Sequence, residues 1–316
     1  MKTVKIKSYA KVNLTLEIVG VKEQYHMLDS LAASVDLFDL LVIKRLKGKL
    51  STVKMHGMGS ESIPPEKNNA LKAAEAFSVA FDTDGADITV YKNIPIGAGL
   101  GGSSADVVGV LNGMAQLYGI EDRAALKALA DKLGSDTGYM LNGGFARMQG
   151  RGERVTPIDT GATLHFLLLC PKTSVSAGEC YRAYDSLQKT EQTHENTTRN
   201  AIAALQDNRL NDLGRYMTND LYAPATTLNT DVQKAYEEAL SFSPLGGVMT
   251  GSGSGVIAMF AHKELCEWAK SRYKGKCDAY VVSTIVPDYA NKKKKKGLAV
   301  RNPFALTEEE TAAIEE

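Results

Sequence analysis

The sequence predicts an α+β protein of two domains. Strand patterns crowd the first 57 residues. A glycine-rich loop then joins an alternating strand, Ile88 to Tyr91, to an apolar helical run. Near residue 162 a second order begins. It reads β-α-β-β-α-β once a helical insert is set aside, the split βαβ arrangement.

Each element has its own justification. Val4 to Ser8 and Val12 to Val19 alternate as half-buried strands do. A polar turn, Lys22 to His26, leads to a strand stretch around Ala32 to Arg45 and another at Leu50 to Met55. Asn69 to Phe81 puts Leu71, Ala74 and Phe77 on one helical face. Val107 to Leu117 is the helix beyond the glycine loop, and Ala124 to Leu133 is another, stopped by Gly134. Phe145 to Ile158 reads as a strand pair turning at Gly150-Arg151-Gly152. In the second half, His165 to Cys170 is a strand and Ala177 to Leu187 a helix, and residues 196–240 form several polar helices. Gly247 to Thr250 and Val256 to Phe260 are strands around a glycine turn, Leu265 to Tyr273 is a helix, and Ala279 to Ile285 is the last strand. The expected domains are 1–160 and 161–289. A lysine run and an acidic end suit a flexible tail over 290–316.

Composition narrows the function. A net charge of zero gives no basic field for nucleic acid, so no nucleic-acid partner is expected. No apolar run approaches a membrane span, and the N-terminus lacks the apolar stretch of a signal peptide. The four cysteines form no Cys-x-x-Cys pair, which argues against zinc and for a reduced, cytoplasmic setting.

The richest segment is Ile94 to Asp106. Glycines at 97, 99, 101 and 102 let the backbone approach a ligand, and the helix start behind them favours an anion. Ser103 and Ser104 add hydroxyl donors. Gly97, Gly99 and Gly102 fit G-x-G-x-x-G, but the carboxylates some twenty residues on, Glu121 and Asp122, lie between helices rather than at a strand tip. No P-loop signature and no protein-kinase signature set occurs. Three further pieces stand out. Lys11 and Asn13 share one strand face, although a lysine there is ordinarily solvated. Asp136 follows a helix, where it either caps the next one or takes a proton from a substrate hydroxyl. Gly246 to Gly255 is a second glycine–serine loop, either a plain hairpin or a cover for bound phosphates.

Together these pieces resemble the GHMP small-molecule kinase superfamily. The likeness rests on Lys11 to Leu14, Pro95 to Ala105 and Thr250 to Gly255, and runs from about residue 2 to 285. Tyr25-His26, Gly134-Ser135-Asp136, Val175 to Asp185 and Asn219-Asp220-Leu221 point to its branch that phosphorylates the 2-hydroxyl of a cytidine-diphosphate-linked methylerythritol. The resemblance implies a ribosomal protein S5 domain 2-like N-terminal domain and a ferredoxin-like C-terminal one. It implies ATP and Mg²⁺ as cofactors, with metal ligands unassigned, a small-molecule substrate, and a monomer or weak homodimer. By position it makes Asp136 the catalytic base and Lys11 its partner. Pro95, Gly97, Ala98, Gly99, Leu100, Gly101, Gly102, Ser103, Ser104 and Ala105 would bind the nucleotide, with Lys67, Asn69, Gly251 and Gly253. Asn13 would touch the acceptor, Tyr25 and Tyr181 would sandwich its base, and His26 would read the base edge. Asp136-Thr137-Gly138-Tyr139 stands where the family usually has Asp-Val-Pro-Phe. That departure leaves open homoserine, threonine or a sugar as acceptor, or an idle ATP-binding paralogue.

Overall fold

The computed structural model describes residues 3–57, 59, 63–64, 68–187 and 196–285. The expected 290–316 tail and Lys67 lie outside them. The first sheet contains β1 (Thr3–Asn13), β2 (Thr15–Lys22), β3 (Tyr25–Arg45), β4 (Thr52–His56), β5 (Ala86–Tyr91), β6 (Phe145–Gly150) and β7 (Arg154–Pro157). At 21 residues β3 is long enough to serve two sets of neighbours. Its first half pairs with β2 and β6, its second half with β5, and β1 runs antiparallel along much of it.

Two helices, α1 (Asn69–Ala80) and α2 (Gly102–Tyr118), pack on this sheet, α3 (Arg123–Leu133) packs against both of them, and a short α4 (Thr137–Met140) follows. Twelve of the 17 residues of α2 are buried, so it is a core helix rather than an amphipathic one. It lies directly on the strands because Gly113 has no side chain. A Cβ there would stand 2.2 Å from Ile43 Cδ1.

The second sheet contains β8 (His165–Cys170), β10 (Gly246–Met249), β11 (Val256–Phe260) and β12 (Asp278–Ser283). Its order is β10-β11-β8-β12, all antiparallel, which is the split βαβ topology that the element order predicts. Its helices are α5 (Ala177–Ser186), α6 (Thr197–Gln206), α7 (Leu210–Tyr216), α8 (Tyr222–Leu228), α9 (Thr230–Leu240) and α10 (Lys263–Arg272). The halves are laced together. A two-residue strand, β9 (Thr218–Asn219), pairs parallel with β2, and the Ile285 N–H donates to Ser34 O at 3.0 Å. One apolar cluster joins Leu31 and Val35 to Phe166 and Met259.

Several boundaries differ from the sequence reading. The first strand runs unbroken through Tyr9 and Ala10, where a gap is expected. The backbone there is carried by a register shift between Tyr9 and Lys11. The turn after β2 is only Glu23 and Gln24, at φ 50° and 69°. Tyr25 and His26 are therefore strand residues, and the third strand begins seven residues before Ala32. The helix after the glycine loop starts at Gly102, not Val107, because Gly101 at φ 72° ends the loop and acts as its N-cap.

Candidate active site

The glycine-rich loop is the ten-residue passage from β5 into α2. Gly97, Gly99 and Gly101 each take φ 72°, conformations that other residues rarely adopt. Both ends of the loop are pinned by a buried ion cluster. Lys92 Nζ donates to Asp39 and, at 2.7 Å, to Asp106 Oδ2. The other oxygen of Asp39 accepts from Asn93 N (2.7 Å) and Ile94 N (2.9 Å), where the loop begins. Asp106 lies in the first turns of α2, where the loop ends. Burial, with Asp39 nearby, pushes the Asp106 carboxyl up to about 7 against the pull of Lys92.

The second glycine loop lies against the first. Ser254 N and Gly255 N donate to Gly97 O (3.1 Å) and Ala98 O (3.2 Å), and Thr250 Oγ1 donates to Gly99 O at 3.4 Å. Asn219 anchors this second loop by donating to Met249 O (2.6 Å) and Gly251 O (2.8 Å). The approach is so close that a Cβ on Gly99 would stand 2.0 Å from Thr250 O.

Two pockets meet at this contact. One, of about 390 Å³, is walled by the phosphate loop, Asn68, Asn69 and Asp106. The other, of about 270 Å³, is lined by Lys11, Asn13, Asp136, Arg151, Tyr181 and Gly251 among others. Gly99 and Gly101 border both. Lys11 and Asp136 stand at the junction. Lys11 Nζ is 3.6 Å from Asp136 Oδ2 and donates to Asn13 Oδ1 at 2.5 Å, as their shared strand face requires. The Lys11 backbone N–H donates to Leu100 O (3.0 Å), which ties the strand to the loop. Asn13 Nδ2 donates to Ser30 Oγ (2.7 Å), which fixes the amide. Asp136 occupies the N-cap position of α4 but makes no side-chain cap bond, so its carboxylate faces the pocket edge, one-third exposed. The cap explanation for this residue fails on that geometry.

The remaining candidates separate. Asn69 lines the first pocket and donates to Ser103 Oγ at 2.7 Å. Pro95 and Gly97 to Ser104 line it too, whereas Ala105 is buried in α2 and lines neither pocket. Gly251 borders the second pocket rather than the first, and Gly253 borders neither of the two. Tyr181 lines the second pocket, while Tyr25 and His26 do not. The His26 ring stacks on Tyr181 (4.9 Å between centroids), and its Nε2 is bonded to Asp185 Oδ1 at 2.7 Å. Tyr25 is more than half exposed and sits under the Arg151 guanidinium, 4.5 Å from its ring centre. Burial, and secondarily the Asp136 charge, pushes the Tyr181 hydroxyl up to about 12, so it stays protonated. Reading the motifs alone misses Lys92, Asp39 and Asn219 as the groups that hold the two loops. A charged residue inside an apolar run, as in Leu37 to Leu41, is the signal for Asp39.

Comparison with known proteins decides the family. The GHMP kinases N terminal domain model matches residues 68–146, and the GHMP kinases C terminal model matches residues 201–274. A Clostridium tetani protein named 4-diphosphocytidyl-2-C-methyl-D-erythritol kinase is 30% identical over 285 residues, covering 89% of this chain and all of that protein. The chain belongs to the GHMP kinase family. A Carboxydothermus hydrogenoformans protein of the same name is 35% identical over 268 residues, covering 84% of this chain and 90% of that one. A crystal structure of 4-(cytidine 5'-diphospho)-2C-methyl-D-erythritol kinase superposes with a TM-score of 0.72 at 27% identity, covering 89% of this chain and 98% of its own. The two-domain GHMP kinase fold is thus the fold of this chain, and no helix among the described residues is long and apolar enough to cross a membrane.

Proposed function

We propose that this GHMP kinase transfers the γ-phosphoryl group of ATP to the 2-hydroxyl of 4-diphosphocytidyl-2-C-methyl-D-erythritol, a step towards isoprenoid precursors. The chain matches the relatives that bear this enzyme's name along most of its length. The observation that carries the chemistry is the Lys11–Asp136 pair, 3.6 Å apart where the two pockets share Gly99 and Gly101. A hydroxyl in the second pocket would there face phosphates held in the first.

Phosphoryl transfer is mainly positioning and charge neutralisation. The glycine loop and the start of α2 supply backbone N–H groups to the phosphates. Asp136 accepts the proton of the acceptor hydroxyl as oxygen attacks phosphorus, and Lys11, 3.6 Å from that carboxylate, orients the hydroxyl. Mg²⁺ fits this site as an ion carried by the nucleotide. Asp106 Oδ1 is buried without a hydrogen-bond partner beside the phosphate loop, and Ser104 lines the same pocket. These two residues would hold the ion, which neutralises phosphoryl charge when bound. Tyr181 offers a ring to the cytosine. Tyr25 and His26 reach the base only if their present contacts with Arg151 and Asp185 open. The four cysteines are free thiols, which agrees with a cytoplasmic setting.

The test is a turnover screen with ATP and Mg²⁺. ADP release with the cytidyl methylerythritol, and not with homoserine, threonine or galactose, supports the assignment. Turnover of another alcohol alone would overturn it.

A further inference from the structure

The acceptor proposed above carries a diphosphate, and this inference rests on that reading. Its site must accept two negative charges near the Asp136 carboxylate. Lys11 cannot serve both needs, because it is buried and held by Asn13 and Asp136. Arg151 is the other cation on the wall of the acceptor pocket. No carboxylate among the described residues stands within ion-pair distance of its guanidinium. Its neighbour Glu153 turns its carboxylate to the Arg151 backbone N–H instead, at 2.6 Å.

The backbone places this arginine firmly, and its side chain is exposed. Gly150 and Gly152 flank it at φ 72° and 105°, the positive angles that close the β6–β7 turn. The turn rests on the segment that carries the base. A Cβ on Gly152 would stand 3.2 Å from Ser135 O, next to Asp136. The guanidinium now lies over the Tyr25 ring, a contact of the kind that a phosphate can replace. Its planar fork matches two phosphate oxygens at once, which an ammonium does not.

We propose that Arg151 binds the diphosphate of the acceptor and so makes the pocket select a nucleoside-diphosphate-linked alcohol over a bare one.

The experiment measures binding of CDP and of cytidine to the full chain, with the ATP site filled by a non-hydrolysable analogue. Arg151→Ala should weaken CDP by about 10- to 100-fold, the loss of charge-assisted hydrogen bonds, and cytidine far less. Arg151→Lys should restore part of the loss, and added salt should shrink the difference. The KM for the acceptor should rise in parallel while the KM for ATP stays put. Equal losses for CDP and cytidine, or none for CDP, would overturn the proposal. Failure of the unaltered chain to turn over the cytidyl methylerythritol would instead overturn the substrate reading, and this proposal with it.

Discussion

Lys92→Met isolates the part of the site that holds the phosphate loop in shape. The Lys92 side chain is 2% exposed, and it sits between Asp39 at 0% and Asp106 at 6%. Methionine fills similar space but leaves two buried carboxylates without their cation. Removing one partner of such a buried set costs about 3–5 kcal/mol. At roughly 2–4 °C per kcal/mol for a chain of this size, the unfolding midpoint should fall by roughly 6–20 °C. Proton concentration must modulate the loss. With Lys92 in place burial holds the Asp106 carboxyl at about 7, and loss of that cation lifts it further, so at pH 5.5 it is mostly neutral and one of the two orphaned charges disappears. The penalty should therefore be smaller at pH 5.5 than at pH 8.5. Thermal unfolding of both proteins at the two pH values, with the KM for ATP alongside, is the assay. A loss under about 1 kcal/mol, or one equal at both pH values, would refute the view that this cluster is a charge-balanced staple.

Two more outcomes follow from the same geometry. Gly99→Ala forces a methyl to within 2.0 Å of Thr250 O at a backbone angle of 72°, so the two glycine loops must part. Overpacking and left-handed strain together predict a loss of about 2–5 kcal/mol, with a raised KM for ATP, and an unaltered melting curve would contradict it. Asp106→Asn addresses linkage. The unfolded carboxyl releases its proton near 3.8 and the folded one near 7, so the native state holds the extra proton between those values. Its contribution is full below about 3.8 and is lost as pH rises through about 7. The asparagine variant should show a flatter stability profile across that window, measured by denaturant titration, and an unchanged slope would count against the cluster.

Much of this was legible in the residues because the signals were local. The alternation of β1, the helical face of α1 and the glycine spacing of the phosphate loop each reflect short-range geometry that side-chain type reports. The second sheet followed from element order alone. What was not legible was of two kinds. The β2–β3 turn carries no glycine or asparagine. Glu23 and Gln24 take positive φ because the hairpin demands it, so Tyr25 and His26 read as turn residues while they are strand residues. The loop-holding contacts join residues far apart in the chain: Lys92 with Asp39, Asn219 with Gly251, Thr250 with Asn13. No motif records such pairs. The Lys11–Asp136 meeting is also long-range, and family resemblance rather than pattern pointed to it. Arg151 was visible only as the middle of a glycine turn.

The single-turnover rate of Asp136→Asn tests the central claim most directly. The variant keeps the shape of the side chain but cannot take a proton. With saturating ATP, Mg²⁺ and cytidyl methylerythritol, the phosphoryl-transfer rate should fall by roughly 10²–10⁴ while nucleotide binding stays intact. A rate within a few-fold of the unaltered chain would contradict the account.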